Sequence, residues 1–215
     1  MVRTPDPGRE SRKARVRGGQ GGSWASSSQD FVRLAGLLYK LSAEYATAHD
    51  GNISIYALAG FGPLFSALRC LLIELNGGMY GELPRQDVLD ELALASNDVR
   101  VIFTHYAVPD GLRTQLSLLL DVRNEIVHPA HSPGGDDRNT PAYLEPLRAS
   151  GLLQSTGDAA DYTWISQLQS HRLFRWGFAT VRETVGHLLA NHSVSDLSAE
   201  GLGYSYAVYE RIDAA

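Results

Sequence analysis

Arg123 and His128 stand with four residues between them in the run Arg123-Asn124-Glu125-Ile126-Val127-His128-Pro129. A guanidinium can hold a phosphate through two N–H groups and stabilise the extra charge of a pentavalent transition state. An imidazole titrating near neutral pH can take and return a proton. Together they are a minimal kit for cleaving RNA. On a helix, which turns ~100° per residue, Asn124 and His128 are ~40° apart and share a face, while Arg123 and His128 are ~140° apart. The long stem of Arg123 lets it reach that face. His128, in the last turn, feels the negative end of the helix dipole, which favours its protonated form. The ordinary alternative is that Arg and His at a helix end only solvate its last carbonyls.

The bare spacing also occurs at Arg100–His105 and Arg182–His187, so context must choose. Arg100 is followed by Val-Ile-Phe, an apolar interior, and Arg182–His187 falls inside a long helical pattern. Only Arg123–His128 combines a polar neighbour, a helix end and a following polar loop rich in Gly, Asp and Ser. His128, His131, Asp136 and Asp137 lack ligand-pair spacing for a metal, and Gly77-Gly78 and Gly134-Gly135 lack the Lys-Ser/Thr of a phosphate-binding loop. No metal and no cofactor are expected. Arg172 and Arg175, beside His171 and Trp176, form a basic and aromatic cluster that could hold RNA by charge and stacking. A solvated face beside a buried Trp explains the same cluster without RNA.

The elements that must position these residues read as helices. Phe31, Leu34, Leu37, Leu38, Leu41 and Tyr45 recur at spacings of three and four, one face of a helix from about Gln29 to His49. A second helix is expected from Ser54 to Asn76, with Leu58, Phe61, Phe65, Leu68, Leu72 and Leu75 apolar. Pro63 should kink it or start its main part, and Gly77-Gly78 should stop it. Pro84 and Asp98 could each open a shorter helix. Pro109-Asp110-Gly111 signals a turn or cap, and Leu112–His128 is the motif helix, with Leu116, Leu119, Leu120, Val122, Ile126 and Val127 apolar. The stretch Pro129 to Pro141 reads as a loop. Tyr143–Leu153 reads as a short helix with Pro146 in its first turn. Asp161 or Thr163 could cap a last long helix to Asn191, burying Trp164, Ile165, Leu168, Leu173, Phe174, Phe178, Val181, Val185 and Leu188. Beyond Ser193 the alternation of Tyr204, Tyr206 and Val208 fits either a strand or a short docking segment.

The fold class expected is all-α, a bundle of five to seven helices. Residues 29–192 form the domain, residues 1–28 a disordered basic tail rich in Gly, Ser, Arg and Pro, and residues 193–215 a C-terminal extension. A chain of 215 residues with 44% hydrophobic composition can bury a sizeable core. The single cysteine, Cys70, rules out an internal disulfide and reads as core filler. No apolar run suits a membrane span and no apolar segment follows the N-terminal charges as a secretory signal would require, so the expected location is cytoplasmic. The net charge of -5 divides into +3 over residues 1–30 and -8 over the remainder. A net-acidic body excludes a general nucleic-acid coater, so any RNA must be drawn by a local patch or by the tail.

Arg123, Asn124 and His128 at a helix end resemble the signature of the HEPN superfamily (higher eukaryotes and prokaryotes nucleotide-binding), small all-α proteins. That signature is Arg, four to six residues, then His, often with a polar residue straight after the Arg. The helix order over about residues 29–192 is similar as well. The resemblance implies a HEPN-like bundle and a metal-independent endoribonuclease, a toxin or phage-defence effector. Such proteins pair as homodimers, with two Arg–His motifs facing each other in one composite site. It further implies attack of the RNA 2′-OH on the adjacent phosphate, with His128 as acid/base, Arg123 as phosphate clamp and Asn124 as orienting group. A cognate antitoxin or regulatory partner protein is implied too. One branch carries a tyrosine two residues after the histidine, which a partner nucleotidyltransferase modifies; this chain has Ala130 there and departs from it. The alternative within the same resemblance is a HEPN-like module that binds a nucleotide, RNA or partner protein without cutting.

Overall fold

A computed structural model describes residues 27–49, 53–73, 107–127, 144–154, 164–191 and 209. The fold is all-α. Among these residues lie five α-helices, α1 (Ser27–Ala48), α2 (Ile55–Ile73), α3 (Asp110–Val127), α4 (Glu145–Ala149) and α5 (His171–Asn191), with a 3-10 turn at Trp164–Leu168. No strand occurs among the described residues, only an isolated bridge between Ile53 and Ser170. No helix there is long and apolar enough to cross a membrane. The helices expected after Pro84 and Asp98, the tail up to residue 26, the loop after Val127 and the alternation at Tyr204–Val208 lie outside the described residues; residues 27 and 28, expected in the tail, already belong to the first helix.

α1 and α2 pack as an antiparallel pair, with Tyr45 near the end of α1 meeting Tyr56 near the start of α2 at 5.9 Å between ring centroids. The face α1 buries is only partly the expected one, with Phe31 and Leu38 packed against the core. Leu34 is 43% exposed and Leu37 56%, while Phe31, Leu38 and Leu41 are half-buried. The inward seam is Val32, Ala35, Tyr39, Ser42 and Ala46, also spaced by three and four. Ala35, Ser42 and Ala46 are small enough to let helix backbones approach closely, and a search for large apolar residues passes over them.

α2 is continuous through Pro63, which neither starts the helix nor ends it, although it leaves the Ala59 carbonyl without its helical N–H partner. Phe61, Phe65 and Leu68 are buried as expected, with Leu64 and Leu71 beside them. A side chain at Gly60 would overlap the Phe174 ring of α5, so glycine there allows the close approach. Cys70 is half-buried rather than core filler.

α3 starts at Asp110, two residues before the expected Leu112. The Arg113 N–H reaches the Pro109 carbonyl at 2.9 Å, and the Arg113 guanidinium pairs with the Asp110 carboxylate, which suits an acid in the first turn. Leu116, Leu119, Leu120 and Val122 are buried, whereas Val127 is 44% exposed and not part of the apolar face. α4 is shorter than Tyr143–Leu153 because Gly151 turns left-handed at φ 67°. The Gly151 N–H then bonds the Arg148 carbonyl (2.9 Å) and the Leu152 N–H the Leu147 carbonyl (3.0 Å), closing the helix. Pro146 sits in its first turn.

The last long helix is broken. Residues Trp164–Leu168 form a 3-10 turn, and α5 begins only at His171. Its cap is Ser170, not Asp161 or Thr163. The Ser170 hydroxyl accepts the Leu173 N–H at 3.1 Å and donates to the Leu152 carbonyl. The Gln169 carbonyl meanwhile accepts the Ser54 N–H at 2.8 Å, and the Gln167 carbonyl the Gln154 N–H at 2.8 Å. These outside partners divert the backbone from helical bonding just before Ser170. From there α5 buries Leu173, Phe174, Phe178, Val181, Val185 and Leu188. Tyr209 is buried as well, its ring 5.3 Å from that of Phe178.

Candidate functional site

α3 runs antiparallel to α5. The Thr180 hydroxyl donates to the Gln115 amide oxygen at 3.2 Å, and a side chain on Gly177 would meet Leu119 at 2.8 Å. A step of four residues forward on α3 is thus a step of three backward on α5. The last turns of α3 and the first turns of α5 therefore share one end of the bundle. α1 is also antiparallel to α5, since Ser42 meets His171 and Tyr39 meets Phe174 and Phe178.

At that end Arg123 lies half-buried on α3. Its Nη1 donates to the Asn124 amide oxygen at 3.0 Å, which orients the guanidinium and leaves the Asn124 amide with N–H groups to offer. No carboxylate stands within ion-pair distance of Arg123 among the described residues. Burial, and then the nearby Arg69 guanidinium of α2, pull Arg123 below the ordinary arginine range. It stays charged at neutral pH all the same. Glu125, the next residue but one, is 6% exposed, and Asp121 is half-buried. His128 and the loop after it, including His131, Asp136 and Asp137, fall outside the described residues, as do Arg100 and His105. The structure thus places Arg123 and Asn124 together.

Arg172 and Arg175 are exposed in the first turns of α5, and Trp176 packs partly against the core. His171 is half-buried, its Nδ1 3.1 Å from the Ser42 hydroxyl and its ring 5.2 Å from that of Tyr39. Burial, then Arg175, lower its pKa. Trp176 is half-buried, so the cluster is an exposed basic face beside a partly covered aromatic. Arg182 and His187 are both half-buried along α5. No group of three or more metal-ligating side chains occurs among the described residues.

Arg69 is the residue that sequence reasoning passed over. The signal was present: Arg69 is the one charged residue in the helix Ile55–Ile73. A lone charge in an apolar helix must find a counter-charge, a hydrogen-bonding partner or solvent. The chain matches no family model, no curated protein and no solved structure. Its functional assignment therefore rests on Arg123, Asn124 and His128 and on the chemistry around them.

Proposed function

We propose that the protein is a metal-independent endoribonuclease of the HEPN type, acting as a toxin or phage-defence effector through a composite Arg–His site between two copies of the chain. The observation that carries this is Arg123, a half-buried guanidinium held by Asn124 and without a carboxylate partner among the described residues. A partly exposed arginine keeps its charge and can turn its head to solvent or to a ligand, and a phosphate takes two guanidinium N–H groups at once. In the proposed reaction a base removes the proton of an RNA 2′-OH. The 2′-oxygen attacks the adjacent phosphorus, the 5′-oxygen leaves with a proton from an acid, and a 2′,3′-cyclic phosphate remains. His128 supplies the proton transfers, and Arg123 stabilises the added negative charge. Arg172 and Arg175 offer charge to RNA at the same end of the bundle.

The test is incubation with mixed RNA in EDTA beside a His128→Ala variant, with analysis of the new ends. Cleavage by wild type alone, leaving cyclic phosphates, is expected. If neither protein cuts, a HEPN-like module that binds RNA, a nucleotide or a partner protein replaces the nuclease. Equal cutting by both removes His128 from the mechanism.

A further inference from the structure

Just past the end of α1, His49 is exposed and yet held in place. Its Nδ1–H donates to the Tyr45 carbonyl at 2.8 Å. Its ring lies on that of Tyr45, with centroids 4.0 Å apart and planes within 20° of parallel. Tyr56 of α2 braces Tyr45 edge-on, at 5.9 Å and 75°. A spacing of four explains how Tyr45 and His49 meet, but not why a third ring from another helix supports them. Tyr45 and Tyr56 are half-buried and stand outside the hydrophobic core, so the packing of the bundle does not account for the stack. One face of the His49 ring covers Tyr45 and the other is turned to solvent. An exposed ring already fixed in orientation loses little freedom when a second flat ring settles on it.

The stack stands at the end of the bundle that holds Arg123. Ser42, just under one turn before Tyr45, meets His171 at the start of α5. The Ser54 N–H, two residues before Tyr56, bonds the Gln169 carbonyl at 2.8 Å. The start of α5 shares its end of the bundle with the last turns of α3, and it carries the exposed Arg172 and Arg175. The body of the chain has a net charge of -8 beyond residue 30, so charge alone holds a phosphate chain weakly here. Stacking supplies a grip that does not depend on charge, and every unpaired base offers a flat face for it.

We propose that the outer face of His49 stacks on one unpaired base of a single-stranded RNA, with Tyr45 behind it and Tyr56 as the brace. The proposal rests on the RNA substrate of the preceding section but not on cleavage, and it adds a base-binding residue outside the Arg–His motif.

The experiment uses the full chain and a fluorescent single-stranded RNA with 2′-O-methyl riboses, which removes the attacking hydroxyl and leaves binding alone to be read. A strand of the same length built from abasic residues serves as the second probe. Affinity is measured by anisotropy for wild type, His49→Ala, His49→Gln and His49→Phe, with helical circular dichroism beside each. The Ala and Gln variants should bind the RNA about tenfold more weakly, the loss of one stacked base. His49→Phe should stay within about threefold of wild type, because it keeps a ring and gives up only the imidazole nitrogens. On the abasic strand all four proteins should bind alike, since the partner of the ring is gone. Two ring-less variants are used so that a folding defect in one leaves the other to decide. Wild-type affinity of both for RNA overturns the proposal, as does no RNA binding by wild type. A loss as large on the abasic strand, or one as large in His49→Phe, assigns His49 to the backbone or to charge and overturns stacking. The expected binding pattern without cleavage of ordinary RNA removes the nuclease and keeps this site. Cleavage by a chain whose ring-less variants bind and cut normally does the reverse.

Discussion

The crossing of α2, α3 and α5 and the far end of α3 lie on the same helices and are built from opposite chemistry. At the crossing, Gly60 admits the Phe174 ring, Gly177 faces Leu119 and Phe61, and all three of these large side chains are fully buried. Every group there is satisfied by apolar contact. At the end of α3, Arg123 is half-buried with a like charge for a neighbour and only Asn124 as a hydrogen-bonding partner among the described residues. The first region makes sense as packing and needs no ligand. The second is polar and partly open to solvent, and it is where the proposed phosphate would bind. The contrast teaches where to look for function: not where residues fit best, but where a rigid frame holds groups that do not satisfy one another.

The comparison can be broken most forcefully at the crossing. Phe174→Ala should destabilise the protein by about 3–5 kcal/mol, read from urea unfolding, because the ring fills the space that Gly60 opens. A loss well under about 1 kcal/mol would mean that the crossing is loosely packed. Next in size is the cap of α5. Ser170→Ala removes the acceptor for the Leu173 N–H and the donor to the Leu152 carbonyl, and should cost ~1–2 kcal/mol. No change in the unfolding midpoint would show that the capped junction contributes nothing.

The smallest effect is a pH dependence at His171. Burial and then Arg175 hold its folded pKa below 6.5, with Tyr39 and Ser42 facing it from α1. As pH falls below about 6.5, the unfolded chain takes up the proton before the folded one does. This contribution to stability is therefore flat at higher pH and is lost on acidification, rising again with pH through that window. Half-exposure screens the effect, so the slope is shallow. His171→Gln should flatten it, and an unchanged slope between pH 5 and about 6.5 would assign it to other groups.

Much of this frame was legible from periodicity. α5 buries Leu173, Phe174, Phe178, Val181, Val185 and Leu188 as their spacing required, because large side chains on one face of an amphipathic helix have one low-energy destination. α1 shows the limit of that logic. Its large residues Leu34 and Leu37 face outward, and its core face is a seam of mixed size, with Tyr39 and Ser42 set against α5, which only the positions of the neighbouring helices define. The cap at Ser170 was hidden for a similar reason: its partners include Leu152, distant in sequence. At the site, Arg123 and Asn124 stood out by their order in the chain. Arg69 did not, since no local pattern joins residues 69 and 123.

The central claim is that Arg123 serves a ligand and not the fold. It is tested by measuring Arg123→Gln twice, by urea unfolding and by RNA cleavage in EDTA. Because the substitution removes a half-buried charge that Arg69 repels, stability should stay within about 0.5 kcal/mol of wild type or rise. Cleavage should fall by about a hundredfold or more, as expected for loss of a group that stabilises transition-state charge. A variant that loses several kcal/mol of stability, or one that folds normally and cuts RNA at the wild-type rate, would contradict the account.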